Sequence, residues 1–311
     1  MSRSTRTSRR LALLLGAAGV GMAATATVAA GTARAEPAAG GRRYPGYQAE
    51  DWAKPFAEFM AERTAPAQSP VLTAYDSGPV ASEQIPDFAA WTADLAPTGY
   101  SLTETGYGYT ASGEVWVAVR TEMPRVTAAM WDWWFGWHST DSARYKLWHP
   151  DAHMYSELAT DTRARALPDR DRYIGNISYV DEYIGPKLQQ LAIAFHDPVT
   201  RGFTVPDDHT VICARVGSGV LPVDLGWLAH QVRPVPGGAE MRSRFYLKVY
   251  GTHAPAPLPA ARAVERGAAL DPADLLPDLV MARDLMLHCG QEMNHLARFL
   301  PELYARFRDT P

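Results

Sequence analysis

Residues 281–303 have the sequence MARDLMLHCGQEMNHLARFLPEL, in which apolar side chains recur at steps of three or four. That spacing is the period of one face of an α-helix, and the apolar members of this face are Leu285, Leu296, Phe299 and Leu303. The middle of the face carries His288 and Glu292, four residues apart, so both side chains point the same way. Because burial of an unpaired carboxylate is costly, such a group is paired, protonated or bound to a metal. The motif predicts either a structural His–Glu hydrogen bond or half of a metal site.

The rest of the chain supplies a sheet for this helix. Alternating patterns predict a β-hairpin over 101–110 and 114–121, and the C-terminal helix is predicted over 279–308. Further strands are predicted at 173–183, 188–196, 210–216, 225–235 and 240–250, with helices at 50–63, 86–95 and 124–138. Antiparallel strands followed by one long amphipathic helix indicate an α+β fold of the helix-grip type. In that fold the helix lies across a curved sheet, and a ligand cavity lies between the helix and the sheet. The helices predicted at 50–63 and 86–95 form a small N-terminal appendage.

The N-terminus has the pattern of an export signal. Arg9 and Arg10 precede an apolar run over 11–20, and residues 33–35, Ala-Arg-Ala, match an A-x-A cleavage site. Paired arginines directly before the apolar run indicate the twin-arginine route, while an ordinary secretory signal and an uncleaved anchor stay open. We expect a secreted, extracytoplasmic protein. Its predicted parts are a twin-arginine-type signal peptide over 1–35, an extension with a small helical region over 36–97, and a helix-grip catalytic domain over 98–311.

The charge balance excludes some classes of partner. The chain has 30 Lys and Arg against 34 Asp and Glu; residues 1–35 hold five of the arginines and no acid, so the remainder has a formal charge of −9. This charge argues against nucleic acid or an anionic membrane as partner. No later stretch has the roughly 20 continuous apolar residues of a membrane span, so we expect a soluble mature protein. Cys213 and Cys289 are predicted to be buried free thiols rather than a disulfide. The oligomeric state stays open, with a homodimer as one candidate.

A second unusual segment is MWDWWFGWH, residues 130–138. Its four tryptophans can form an apolar wall with indole N–H donors. On a helix, Trp134 and His138 share a face, so His138 would look into the same space as the aromatic rings. The alternative is a core helix whose terminal histidine only caps its C-terminus.

A third segment is YVDEYIGP, residues 179–186. In a strand, Glu182 shares a face with Val180 and Ile184, which places a second carboxylate on an inward-facing apolar surface unless this is a strand edge. The three segments together supply two nitrogens and two oxygens, a set that suits Zn²⁺ and could hold another first-row metal. These four candidate ligands are His138, Glu182, His288 and Glu292.

The order of four segments resembles a known family, the 2,4-diacetylphloroglucinol hydrolases and their phloretin hydrolase relatives. The segments are WDWWFGWH (131–138), RYKLWHPDAH (144–153), VDEYIGP (180–186) and HCGQE (288–292), and the resemblance spans roughly 98–305. It implies a Bet v1-like helix-grip fold, and hydrolysis of the carbon–carbon bond between an acyl group and a phenolic ring with a zinc held by two His and two Glu. On this chain these ligands fall on His138, Glu182, His288 and Glu292, with Glu157 and Asp169 as alternatives to Glu182.

The implied reaction assigns roles to further residues. Cleavage of an aryl ketone needs a polarised carbonyl, a water nucleophile and a proton for the departing ring carbon. We predict Glu292 as a base, and Lys146 and Tyr246 as catalytic groups at the phenolic oxygens. Substrate-binding roles are predicted for Trp134, Tyr145, His149 and His153. The rival functions are a non-catalytic carrier of hydrophobic ligands and a metal-dependent ester or amide hydrolase.

Overall fold

The structure, a computed structural model, describes residues 46–267 and 276–310. The predicted leader over 1–35 and the first part of the extension lie outside the described residues. Within the described ranges, no helix combines the length and the apolar character that crossing a membrane requires.

A single antiparallel sheet of eight strands spans the described residues. The strands are β1 Gly106–Tyr109, β2 Val115–Pro124, β3 His153–Leu158, β4 Ile177–Ile184, β5 Lys187–His196, β6 Thr210–Ser218, β7 Asp224–Val235 and β8 Gly238–Gly251. Their order across the sheet is β1-β2-β8-β7-β6-β5-β4-β3. The last strand pairs with β2, which joins the early hairpin to the later meander.

The longest described helix lies against this sheet. The helices are α1 Ser69–Ser77, α2 Trp91–Asp94, α3 Ala128–His138, α4 Ser142–Trp148, α5 Asp169–Tyr173, α6 Pro257–Glu265, α7 Leu279–Ala297 and α8 Leu300–Phe307. Helix α7 contacts β1, β2 and β4, and its apolar face is buried, as its sequence period predicts. The prediction of an α+β helix-grip fold is confirmed.

Each face of the sheet has its own buried cluster. The larger cluster lies between the sheet and the helices α3 and α7, and includes Trp131, Trp134, Leu285, Cys289 and Met293. The smaller cluster, on the other side of the sheet, contains Trp116, Cys213 and Tyr246. Residues before 98 contribute to both, so the N-terminal region is part of the same compact unit. The two cysteines are buried and free, as predicted.

Buried ion pairs fix the N-terminal region to the smaller cluster. The fully buried Arg244 pairs with Asp94 at 2.6 Å, and Arg242 pairs with Glu104 at 2.7 Å. Because a buried charge without its partner is strongly destabilising, these pairs require the segment around residues 94–104 to stay in place.

The C-terminal helix is interrupted where the sequence predicts one continuous helix over 279–308. Helix α7 ends at Ala297, and Pro301 lies in the first turn of α8. Proline has no backbone N–H, and its ring clashes with the carbonyl four residues earlier, so it cannot continue the preceding helix.

Other boundaries differ for local reasons. Pro124 ends β2 instead of starting a helix, and Arg125 then adopts a φ of 65° before α3 begins. The strand predicted from Tyr173 begins at Ile177, because residues 169–173 form α5. Within the described residues, the helices α1, α4, α5 and α6 and the strand β3 were not predicted.

Candidate metal centre

Four buried side chains converge between the sheet and α7. Glu182 lies on β4, His288 and Glu292 lie on α7, and His153 is the first residue of β3. The Nε2 atom of His153 is 3.5 Å from Oε2 of Glu182, 3.4 Å from Oε2 of Glu292 and 3.4 Å from Nε2 of His288. His288 Nε2 is in turn 4.0 Å from Glu182 Oε2 and 3.8 Å from Glu292 Oε2. Two imidazole nitrogens and two carboxylates therefore lie close enough together to surround one ion.

Backbone carbonyls set the orientation of both imidazoles. His153 Nδ1 hydrogen-bonds the carbonyl oxygen of Tyr145 at 3.0 Å, and His288 Nδ1 hydrogen-bonds that of Tyr183 at 3.1 Å. Donation from Nδ1–H leaves Nε2 as the unprotonated nitrogen, directed at the carboxylates. Metal-binding histidines are held in the same way, by a hydrogen bond from the other ring nitrogen.

The electrostatics of the cluster favour a cation. Burial raises the pKa of Glu292 well above its ordinary value; burial and the Asp181 charge raise the pKa of Glu182 to about 7, although the hydrogen bond from Tyr145 opposes the rise. Burial also lowers the pKa of His153 well below its ordinary value and that of His288 to about 4. Neither imidazole therefore supplies a positive charge near neutrality. The donor atoms of His153, Glu182 and His288 lie within 4.8 Å of one another, and this group can hold a divalent metal.

The structure places His153, and not the predicted His138, in this cluster. His138 donates from Nδ1 to the carbonyl oxygen of Trp134 at 2.7 Å, and its Nε2 is 3.3 Å from Ser139 Oγ. Its ring stacks on Trp134 and is separated from His153 by the ring of Tyr145. The ligand set is therefore corrected by exchanging His138 for His153. Helix α3 gives His138 the predicted inward face, but its end lies one aromatic ring away from the carboxylates.

The alternatives to Glu182 lie elsewhere. Glu157 is paired with Arg262 and hydrogen-bonded by Tyr155. Asp169 lies near Arg172, with 3.9 Å between Oδ1 and Nε.

Tyr145, another of the predicted substrate-binding residues, contacts the cluster directly. Its hydroxyl donates to the Glu182 carboxylate, and its ring lies parallel to His153 with centroids 3.8 Å apart. Burial and the Glu182 charge raise its pKa well above the ordinary value, so the phenol stays protonated. Trp134, also predicted to bind substrate, is fully buried, and its ring stacks on that of His138.

A cavity of about 70 Å³ adjoins the cluster. Apolar and aromatic side chains of α3, α4 and the sheet form most of its wall, including Phe135, Trp148, Phe195, Leu228 and Phe245. His230, which was not predicted as a site residue, also lines it and shares a hydrogen bond of 2.8 Å with Ser243. The signal was present in the sequence, because a histidine between Leu228 and Val232 in an alternating strand repeats the pattern that identified Glu182.

Lys146 and Tyr246 lie outside the site, which corrects their predicted catalytic roles. Lys146 forms a buried ion pair with Asp51 at 2.8 Å. Tyr246 lies in the smaller core, on the opposite side of the sheet, and donates to the carbonyl oxygen of Pro86 at 3.2 Å. The neighbouring Phe245 is the residue of β8 that faces the cavity.

The segment over 46–67 packs against residues that neighbour the cluster. Thr64 Oγ1 is hydrogen-bonded to His149 Nδ1 at 2.8 Å, and the Ala65 N–H donates to His295 Nδ1 at 3.0 Å. His149 stacks on His288 with centroids 4.6 Å apart. His149 therefore supports a cluster histidine from behind, and it does not line the cavity.

Comparison with known proteins identifies the family of the chain. The family described as DAPG hydrolase PhiG domain matches residues 85–305. A 2,4-diacetylphloroglucinol hydrolase from Pseudomonas sp is 30% identical over 205 residues, which are 62% of this chain and 67% of the relative. A phloretin hydrolase from Eubacterium ramulus is 26% identical over 261 residues, 81% of this chain and 90% of the relative. A START superfamily protein from Mycobacterium smegmatis has 13% identity and a TM-score of 0.29, covering 57% of this chain and 99% of its own. The chain belongs to the DAPG hydrolase PhiG domain family and is an enzyme of the hydrolase class.

Proposed function

We propose that the protein is a zinc-dependent hydrolase that cleaves the carbon–carbon bond between an acyl group and a phenolic ring. The substrate class is an acylphloroglucinol-type aryl ketone, and one product is a carboxylic acid. The observation that carries the proposal is the convergence of two buried imidazoles and two buried carboxylates beside an aromatic cavity. The names of the relatives, a 2,4-diacetylphloroglucinol hydrolase and a phloretin hydrolase, support the substrate class.

The donor set fits zinc. The Nε2 atoms of His153 and His288 and the carboxylates of Glu182 and Glu292 would hold it, as a four-ligand nitrogen and oxygen site. When bound, zinc supplies Lewis-acid polarisation of a carbonyl and eases the deprotonation of water.

We expect side chains around the cavity to bind the substrate and to transfer protons. In the overall reaction the hydroxyl of water ends on the acyl carbon, and a proton ends on the ring carbon as the bond between them breaks. Glu292 faces the cavity and can carry that proton. Tyr145 orients Glu182 by its hydrogen bond, and Tyr145 and His230 are two polar groups of the wall that can meet phenolic oxygens. Phe135 and Trp148 offer apolar contact to the ring.

Substrate entry requires the wall to move. The cavity volume of about 70 Å³ is well below the roughly 300–1,000 Å³ of small-molecule sites. An acylated phenol is larger, so the side chains around the cavity must shift outward when it binds.

The first prediction separates the two histidines. His153→Ala should reduce zinc affinity by more than the ~10–100-fold that loss of a supporting contact causes, whereas His138→Ala should keep close to one zinc per chain. Elemental analysis of both purified variants measures this, with circular dichroism as the control for folding. Stoichiometric zinc in His153→Ala, or loss of zinc from His138→Ala alone, would contradict the ligand assignment.

The second prediction concerns the bond that breaks. A free phenolic hydroxyl beside the acyl group stabilises the departing ring, so O-methylation of an acylphloroglucinol should lower kcat much more than it raises KM. Product identification by mass spectrometry should show the free ring and the carboxylic acid. Binding without turnover would support a carrier instead, and rapid hydrolysis of phenyl esters with no attack on acylphloroglucinols would support an ester hydrolase.

Export through the twin-arginine route is also proposed, on the strength of Arg9 and Arg10 and the sequence at 33–35. Changing Arg9→Lys together with Arg10→Lys in the full chain should leave uncleaved precursor inside the cell, which cell fractionation and mass determination would detect. Unchanged export of this double variant would argue for another route.

A further inference from the structure

A second and much larger cleft lies on the other side of α3. It has a volume of about 740 Å³, compared with about 70 Å³ for the cavity at the candidate metal centre. This is within the range of roughly 300–1,000 Å³ that small-molecule sites occupy. Its walls are the outer face of α3, the loop over 163–169, α5, and the chain from Tyr304 to Thr310. None of the four candidate metal ligands lines it.

The cleft is positively charged although the chain as a whole is acidic. Five arginines and two aspartates line it, a formal surplus of three positive charges, while the chain has four more acidic than basic residues. The arginines are Arg144, Arg163, Arg165, Arg172 and Arg308. Burial lowers the pKa of Arg144 to about 10, and the nearby charge of Arg163 adds to this effect. The Asp141 charge partly offsets it. Arg144 and Arg163 thus repel each other, and an anion between them would relieve the repulsion.

Two of these arginines are held in place by α3 and its surroundings. The Arg144 guanidinium lies 4.1 Å from the ring centroid of Trp137 and donates to the carbonyl oxygen of Trp137 at 3.1 Å. Arg172 packs on Gly136, where an added Cβ would come within 3.0 Å of the Arg172 Cδ atom. Glycine at 136 therefore allows α5 to approach α3 closely. Ordered guanidinium groups lose less conformational entropy on binding than mobile ones.

Unused hydrogen-bond donors also occur here. The side chain of Arg165 is exposed at the rim and makes no hydrogen bond within the described residues, although its charge acts on Asp161. The indole N–H of Trp137 also has no acceptor in this part of the chain, although the nitrogen itself is buried beneath the cleft surface. A ligand rich in acceptor oxygens matches such a wall, because guanidinium groups bind carboxylate and phosphate in a bidentate manner.

We propose that this cleft binds a small organic anion that carries carboxylate or phosphate groups. The site is separate from the catalytic cavity and does not depend on the proposed reaction. Helix α3 is the wall that the two share, since Phe135 and His138 line the cavity while Gly136 and Trp137 line the cleft.

Calorimetric titration of the purified protein at constant ionic strength tests this site. Succinate serves as the carboxylate probe and inorganic phosphate as the phosphate probe, since neither removes zinc as strong chelators do. Saturable binding of one probe alone identifies the group that the cleft recognises, and binding of both shows that either suffices. Because general charge effects are screened at fixed salt, saturable binding to neither probe would overturn the proposal.

Matched variants locate the binding. Arg165→Gln with Arg308→Gln removes two exposed charges from the cleft and should weaken binding at least tenfold, because a hydrogen bond to a charged group contributes about 1.5–3 kcal/mol. Arg125→Gln with Arg262→Gln removes the same charge from exposed ion pairs outside the cleft and should leave the dissociation constant within about twofold. Equal weakening in both double variants would show that overall charge is responsible, and would overturn the site.

Discussion

The site depends on one electrostatic constraint, which is that two carboxylates and two imidazoles are buried against one another. Glu182 and Glu292 are both nearly inaccessible to solvent, and each lies within 4.0 Å of the Nε2 atom of His153 or His288. No cationic side chain is recorded against these carboxylates in the described part of the chain, and burial keeps both imidazoles neutral. Such a cluster is costly unless its carboxyl groups are protonated or a cation shares it, so a metal held here would stabilise the fold around it.

The helix-grip fold places these groups from three separate elements. The strand β4 pairs with β3, which brings Glu182 opposite His153, and α7 lies over both with His288 and Glu292 on its buried face. The segment over 46–67 adds support from outside through Thr64, Ala65 and Asp51. This segment precedes the residues that match the family, so part of the support for the site comes from the extension.

The sequence predicts the carboxylates better than it predicts the histidines. Glu182, His288 and Glu292 interrupt apolar faces whose period is clear, so burial of a polar group could be recognised. His153 follows a short irregular stretch that begins with His149-Pro150 before a turn, and β3 has no clear alternation to place it. It was therefore predicted to bind substrate. The helical period around His138 is clearer than any pattern around His153, and it predicts that His138 faces inward. The period does not predict how close the end of the helix comes to a neighbouring strand.

Two further corrections have simple geometric causes. Successive side chains of a strand point to opposite faces, so an error of one residue in β8 assigns Tyr246 to the cavity that Phe245 actually lines. Lys146 lies on α4, an element that was not predicted, and its partner Asp51 lies 95 positions away in the chain. No local pattern reveals such a long-range pair.

The most direct test of the account is a crystal structure of the purified protein with anomalous diffraction measured on both sides of the zinc absorption edge. We expect one anomalous peak at roughly 2.0–2.2 Å from His153 Nε2, His288 Nε2 and the carboxylates of Glu182 and Glu292. A peak bound to His138, or an ordered cluster of these four side chains with no zinc in protein purified without chelators, would contradict it.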